Sequence, residues 1–242
     1  MKMRNRLRWL AAALLVLLAV FLVYGSVYYR ADQTAQIAME SDETVRISAA
    51  DYGWLFDGPS EEDVLIFYPG GKVEETAYAS LLHQLAAEGL DVCLVRMPLH
   101  LAVLNMNAAD KIIERTHYAN YYIGGHSLGG AVAANYASKN GDQLAGVVLC
   151  AAYATHPLDD RLKMITLYGT EDHVLNMQKL SEETRYLPAD AVTYIIRGGN
   201  HAQFGDYGIQ SGDGLAGIPA SEQQSQAVQA ILNTTICSEF SS

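Results

Sequence analysis

The stretch Gly124-Gly125-His126-Ser127-Leu128-Gly129-Gly130 follows the apolar run Tyr121-Tyr122-Ile123 and precedes Ala131-Val132-Ala133-Ala134-Asn135-Tyr136. A short apolar run without alternation reads as a buried strand, and the alanine-rich run after it as a helix. The chain therefore passes from strand to helix at a serine. The spacing Gly-x-Ser-x-Gly fits a turn so tight that a side chain two residues to either side of Ser127 would collide with neighbouring backbone. Such an elbow lifts the Ser127 hydroxyl above the edge of a sheet. A hydroxyl held there is a nucleophile in need of a base.

Working outward, the flanking sequence repeats the same alternation. Val64 to Tyr68, Leu90 to Val95, Leu144 to Ala151, Met164 to Tyr168 and Val192 to Ile196 are apolar strands. Helical patterns separate them over Glu74 to Glu88, Ala108 to Arg115, Asn176 to Tyr186 and Glu222 to Leu232, the last with Ser221 and Gln224 as a capping box. The elbow helix runs to about Ser138. Thr44 to Ala49 and Tyr52 to Phe56 read as a leading strand pair. Strands of this kind separated by helices imply an α/β fold, a mostly parallel sheet wound on both faces. Catalytic groups in such a sheet belong at the carboxyl ends of strands.

Two strand ends supply partners for Ser127. After Met164 to Tyr168 comes Gly169-Thr170-Glu171-Asp172-His173, and after Val192 to Ile196 comes Arg197-Gly198-Gly199-Asn200-His201. Ser127, Asp172 and His201 follow the order serine, acid, histidine, which is that of the α/β-hydrolase arrangement and not of the chymotrypsin-like or subtilisin-like ones. The chemistry needs all three types. An imidazole must take the serine proton, and a carboxylate must hold the imidazole tautomer and stabilise the imidazolium. His156 and His173 also follow strand ends, and Glu171, Asp159 and Asp160 are the competing acids. His126, beside the serine, reads as packing beneath the loop. An oxyanion needs two backbone N–H groups aimed at one point. Leu128, at the start of the elbow helix, is expected to supply one. Gly71 in Pro69-Gly70-Gly71-Lys72 is expected to supply the other, with Lys72 second.

These stretches together resemble the α/β-hydrolase superfamily, and within it the short hydrolases likened to dienelactone hydrolases, over roughly residues 44–235. Besides the elbow, the resemblance rests on Tyr68-Pro69-Gly70-Gly71-Lys72-Val73, on Met97-Pro98-Leu99 with Leu101-Ala102-Val103, and on Leu167-Tyr168-Gly169-Thr170-Glu171-Asp172. It rests also on Gly199-Asn200-His201-Ala202-Gln203-Phe204-Gly205-Asp206-Tyr207-Gly208. It implies a serine hydrolase, needing neither cofactor nor metal, that cleaves a small carboxylic ester or similar acyl bond with Ser127, Asp172 and His201 as triad. Dienelactone hydrolases proper carry a cysteine nucleophile where this chain has serine. Peptidase, thioesterase and transacylase activities share the same residues, and a binding module on the fold is the non-catalytic alternative.

Only Tyr153 to Arg161 separates two of the strands, which leaves no room for a large cap domain. The expected site is open, rimmed by Leu99, Leu101, Tyr153, His156 and Phe204. Asp206 to Ala220 is a glycine-rich loop after His201, placed either to brace the histidine or to shape the pocket, and its Asp206 and Asp213 offer too few ligands for an EF-hand.

The N-terminus adds an address. Lys2, Arg4, Arg6 and Arg8 precede Trp9 to Tyr29, an uncharged run of 21 residues. As a helix it spans about 32 Å, enough for a bilayer core. The basic flank predicts a cytoplasmic tail over 1–8, a signal anchor over 9–29, a polar stalk over 30–43 and an extracytoplasmic catalytic domain over 44–242. Cleavage after the pair Val23 and Gly25 would instead release a secreted domain. Beyond residue 30 the chain holds 11 basic and 27 acidic residues, a net charge of −16. Such a surface repels nucleic acid and anionic lipid headgroups and argues against either as a partner, leaving the membrane through the helix and a small acyl substrate. Cys93 and Cys150 lie in apolar runs and read as buried hydrophobes, whereas Cys237 stands near the end.

Overall fold

Val64-Leu65-Ile66-Phe67 has no polar position, and each of these residues is fully buried or nearly so, which is the pattern of a strand covered on both faces. The computed structural model describes residues 2–236. In chain order these form α1 (Lys2–Ser26), α2 (Gln33–Ala38), β1 (Arg46–Ala50), β2 (Gly53–Asp57), β3 (Asp63–Tyr68), α3 (Ala79–Ala87), β4 (Asp91–Val95) and α4 (Ala108–Arg115). Then follow β5 (Asn120–His126), α5 (Leu128–Asn140), β6 (Gly146–Cys150), β7 (Lys163–Gly169), α6 (Met177–Glu182), β8 (Val192–Ile196) and α7 (Ala220–Thr235).

The strands make one eight-stranded sheet in the order β1-β2-β4-β3-β5-β6-β7-β8. β1 and β2 form an antiparallel hairpin that joins β4 antiparallel, and the pairs from β4 to β8 are all parallel. Alternate residues of β3 feed two cores. Leu65 and Phe67 pack with α2, α3 and α7 on one face; Val64, Ile66 and Tyr68 pack with α4 and α5 on the other. The sheet is thus wound on both sides, and its crossovers leave every parallel strand's carboxyl end on the same edge. Between β6 and β7 the chain contains no helix, so no large cap covers that edge.

Several boundaries differ from the sequence reading. The expected helix over 74–88 begins as a single tight turn, Glu75–Tyr78, before α3 proper. α7 begins at Ala220 with Pro219 as its N-cap, and Ser221 makes no cap hydrogen bond. Gln224 turns away from the helix end and donates to Asp206 Oδ1 at 2.9 Å. β8 is a strand as expected, but it lies at the sheet edge and only Ile196 of its five residues is buried.

The largest departure is the expected stalk over 30–43, which is folded onto the domain. Asp32 Oδ1 accepts the N–H groups of Thr34 and Ala35 at 2.8 and 3.2 Å and so starts α2, whose Ala35 is fully buried against α3. α1 ends at Ser26, short of the expected Tyr29. Tyr29 is already paired with the domain: its N–H donates to the Lys72 carbonyl and its own carbonyl accepts from Glu74, both at 2.8 Å. Cys93 and Cys150 are buried free thiols; Cys237 lies outside the described residues.

Candidate active site

The turn at Ser127 is as tight as its glycines imply. Ser127 has φ 51° and ψ −121°, a strained combination for a residue with a side chain, and such strain costs about 1–3 kcal/mol. Backbone bonds hold it, from Ser127 N–H to the Cys150 carbonyl at 2.9 Å and from Ala131 N–H to the Ser127 carbonyl at 3.0 Å. A Cβ on Gly125 would strike the Tyr68 carbonyl, and one on Gly129 would strike the carbonyls of Tyr68 and Pro69. Neither obstacle is a flexible side chain. The serine sits between β5 and α5 because only glycine fits two residues to each side of it.

Asp172 and His201 meet as expected. Asp172 Oδ2 lies 2.8 Å from His201 Nδ1, and both side chains are buried. The other carboxylate oxygen accepts from the Val174 and Leu175 N–H groups at 2.9 and 2.8 Å, so the acid cannot swing away. A carboxylate facing Nδ1 fixes the proton there and leaves the Nε2 lone pair unblocked. That Nε2 is buried and has no hydrogen-bond partner among the described residues. Ser127 Oγ is thus not bonded to it, a contact that in free enzymes often closes only with substrate.

The loop over 206–220 braces the histidine through its backbone. Asp213 Oδ1 accepts from His201 N–H at 3.3 Å and Oδ2 from Ala202 N–H at 2.9 Å. Asn200 is tied to Gln223 and to the Gly214 carbonyl, anchoring the same turn to α7. The competing acids and histidines fall elsewhere. Asp159 pairs with Arg161 at 2.6 Å, which holds its carboxyl down at about 2. Glu171 bonds the neighbouring Thr170 hydroxyl, His156 reaches Thr155 and Asn135 at the surface, and His173 is exposed.

The two expected oxyanion donors are neighbours. A Cβ on Gly71 would lie 2.9 Å from Leu128 Cδ2 and 3.3 Å from Leu128 Cβ. Among the described residues no hydrogen bond of the fold uses the N–H of Gly71 or of Leu128, whereas the Lys72 N–H is taken by the His100 carbonyl at 2.8 Å. That separates the first candidate from the second. Leu128 is the first residue of α5, where the helix dipole also favours negative charge.

Two residues near the site escaped the sequence reading of roles. His126 is buried as expected, but its ring centroid lies 4.5 Å from that of His201, and its Nδ1 is 2.8 Å from Tyr78 Oη. Tyr78 Oη also accepts the Gly70 N–H at 3.0 Å, so one phenol oxygen is tied to both the Gly70 backbone and the His126 ring. The chain Gly70, Tyr78, His126 links the loop of Gly71 to the flank of His201. Burial and the adjacent His201 hold the His126 imidazole well below its usual pKa, and it is neutral. The adjacency of His126 to Ser127 was the available signal; nothing in the sequence points to Tyr78. Of the expected rim, Leu99, Leu101, Tyr153 and His156 are at least partly exposed. Phe204 is fully buried, packed 5.7 Å from the His126 ring, so it belongs to the core.

Solved structures with this architecture include carboxyl esterase 2 from the mycorrhizal fungus Tuber melanosporum, 12% identical over 84% of this chain and 89% of that one, with a TM-score of 0.59. Est1E from Butyrivibrio proteoclasticus is 12% identical over 79% of this chain and 99% of that one, with a TM-score of 0.55. Alpha/beta hydrolase domain-containing protein 10 from mouse is 10% identical over 82% and 100%, with a TM-score of 0.57. At such identities the likeness is one of fold. No curated protein matches the chain by sequence. The model of the Alpha/beta hydrolase family, however, matches residues 64–225, more than half of the chain, and its span takes in the elbow, the acid and the histidine. The chain belongs to the alpha/beta hydrolase family.

Proposed function

We propose that the protein is a membrane-anchored serine hydrolase that cleaves a carboxylic ester or similar acyl bond through Ser127, Asp172 and His201. The observation that carries this reading is the buried 2.8 Å bond between Asp172 and His201, which leaves the imidazole in the tautomer that a serine at an elbow requires. In the first step Ser127 Oγ attacks the carbonyl carbon while His201 Nε2 takes its proton. The oxyanion rests on the N–H groups of Leu128 and Gly71. As the intermediate collapses, His201 returns that proton to the leaving alcohol and an acyl-serine remains. Water then attacks the acyl carbon, His201 takes its proton, and the acid is released as Ser127 is restored.

The address in this reading comes from α1. The window Arg6–Val23 has a mean hydropathy of 2.2 and is long and apolar enough to cross a membrane, with none of it buried against the domain. The basic residues before it support a cytoplasmic N-terminus and a catalytic domain outside.

A fluorophosphonate probe tests the chemistry directly. The full-length protein in detergent is expected to label at Ser127, and both Ser127→Ala and His201→Ala, with unchanged circular dichroism, are expected to lose labelling. A well-folded wild type that does not label would sink the serine mechanism and favour a binding module on the same fold.

A further inference from the structure

The end of the membrane helix is fastened to the rim of the candidate site, with no spacer between them. Gly25 is buried, and a Cβ on it would lie 2.9 Å from Leu99 Cβ. The Tyr28 ring sits 3.9 Å from that of His100. Tyr29 brackets Lys72 in the oxyanion loop, and its hydroxyl accepts from Ser211 N–H at 3.1 Å in the loop that braces His201. Three residues of extended chain reach roughly 10 Å at most, so Tyr29, hydrogen-bonded to Lys72 in the loop of Gly71, stands within about that distance of the helix end at Ser26. A domain tied this closely cannot hang away from the bilayer on a tether.

The same edge of the sheet carries apolar side chains that the fold leaves uncovered. Val103 and Leu104 follow β4, Val174 and Met177 follow β7, and Ile209 and Leu215 follow β8, at 84% and 83% exposure for the last two. Each lies in a connection at the carboxyl ends of the strands, or, for Met177, at the start of the helix that follows one, on the edge of Ser127, Asp172 and His201. Together they flank the site from the β4 side and the β8 side. An apolar rim continuous with a membrane-spanning helix has an evident cover, the lipid surface that the helix enters.

We propose that the catalytic edge faces the bilayer and that the substrate is an acyl ester of a membrane-resident amphiphile, entering laterally from the lipid. This deepens, and rests on, the serine-hydrolase reading above. The open, capless site fits that source, because an acyl chain left partly in the bilayer needs no enclosed pocket in the protein.

The test uses full-length protein reconstituted in phosphatidylcholine vesicles, zwitterionic so that the acidic domain meets no anionic headgroups. In a Cys237→Ser background, a fluorophore on Leu104→Cys or Leu215→Cys is expected to be quenched by nitroxide-labelled lipid. One on Glu62→Cys, just before β3 at the opposite edge, is not. On the same vesicles, Leu104→Glu with Leu215→Glu is expected to slow hydrolysis of a bilayer-embedded long-chain umbelliferyl ester at least tenfold while changing hydrolysis of soluble p-nitrophenyl acetate less than twofold. Absence of quenching at 104 and 215, or equal losses on the two esters, would overturn the proposal. Quenching without turnover of either ester, together with no fluorophosphonate labelling, would instead overturn the serine-hydrolase reading and the substrate with it.

Discussion

His126 is buried and lies between Tyr78, Phe204 and His201, so its protonation is set by the fold rather than by solvent. Burial, and then the neighbouring His201, lower its pKa well below the usual value. The sign follows from linkage. Below about pH 6.5 the unfolded chain takes up a proton at this position that the folded chain refuses, so stability falls as pH drops through that value. The slope for one such group approaches about 1.4 kcal/mol per pH unit until the folded form also protonates. Replacing His126 with Asn, whose amide can still bond Tyr78 as donor or acceptor, is expected to remove that component. Urea unfolding at pH 7 and pH 5 would read it: wild type should lose more stability between the two than His126→Asn. Equal losses would mean that His126 is protonated in the folded protein. Asp91 and Asp206, both raised by burial, act in the opposite sense and are common to the two proteins.

The segment 28–39 contains little that its sequence advertises, and that is why the domain boundary read from sequence falls too late. α2 is six residues long, and its inward position, Ala35, is small. A helix of that length gives too few turns for a period, and polar neighbours such as Asp32, Gln33 and Gln36 match a linker in composition. Its hold is tertiary: Asp32 N–H donates to the Asp206 carbonyl at 2.9 Å, Ala31 N–H donates to Glu74 at 3.0 Å, and Tyr29 packs 5.6 Å from Tyr207. By contrast β3 to β7 were legible because central strands need uninterrupted apolar runs, β8 because it keeps such a run at the sheet edge, and Ser127 because its turn tolerates only glycine two residues to either side. Asp172 and His201 were legible from position after those strands; Tyr78 was not, because its role depends on a contact with a residue 48 positions away. A fragment beginning at Thr44, the expected boundary, should therefore be less stable than one beginning at Val27. Loss of Ala31, Ala35 and the Asp32 cap is expected to cost at least about 2 kcal/mol, or roughly 5 °C in melting temperature for a domain of this size. Equal melting temperatures by calorimetry would restore the stalk.

Across the whole molecule, the fate of α1 decides whether the proposed reaction would stay at a membrane surface. Signal peptidase needs its site in extended chain with small residues one and three positions before the cut, and the sequence offers Gly25 and Val23. In the folded protein α1 runs through both residues to Ser26, and Gly25 is buried beside Leu99. Removing the helix at that point would also uncover Leu99, against which Gly25 packs. The helix is therefore expected to be retained, keeping the domain of net charge −16 beside a membrane that its acidity would otherwise lead it to leave. In cells expressing the full chain, the protein is expected in the membrane pellet after carbonate washing, with an intact mass that includes residues 1–26. A membrane-impermeant amine reagent added to intact cells should modify domain lysines such as Lys163 and Lys179 but not Lys2. A soluble species beginning at Ser26 would instead show cleavage after Gly25, and it would leave the apolar rim without the helix proposed to present it to lipid.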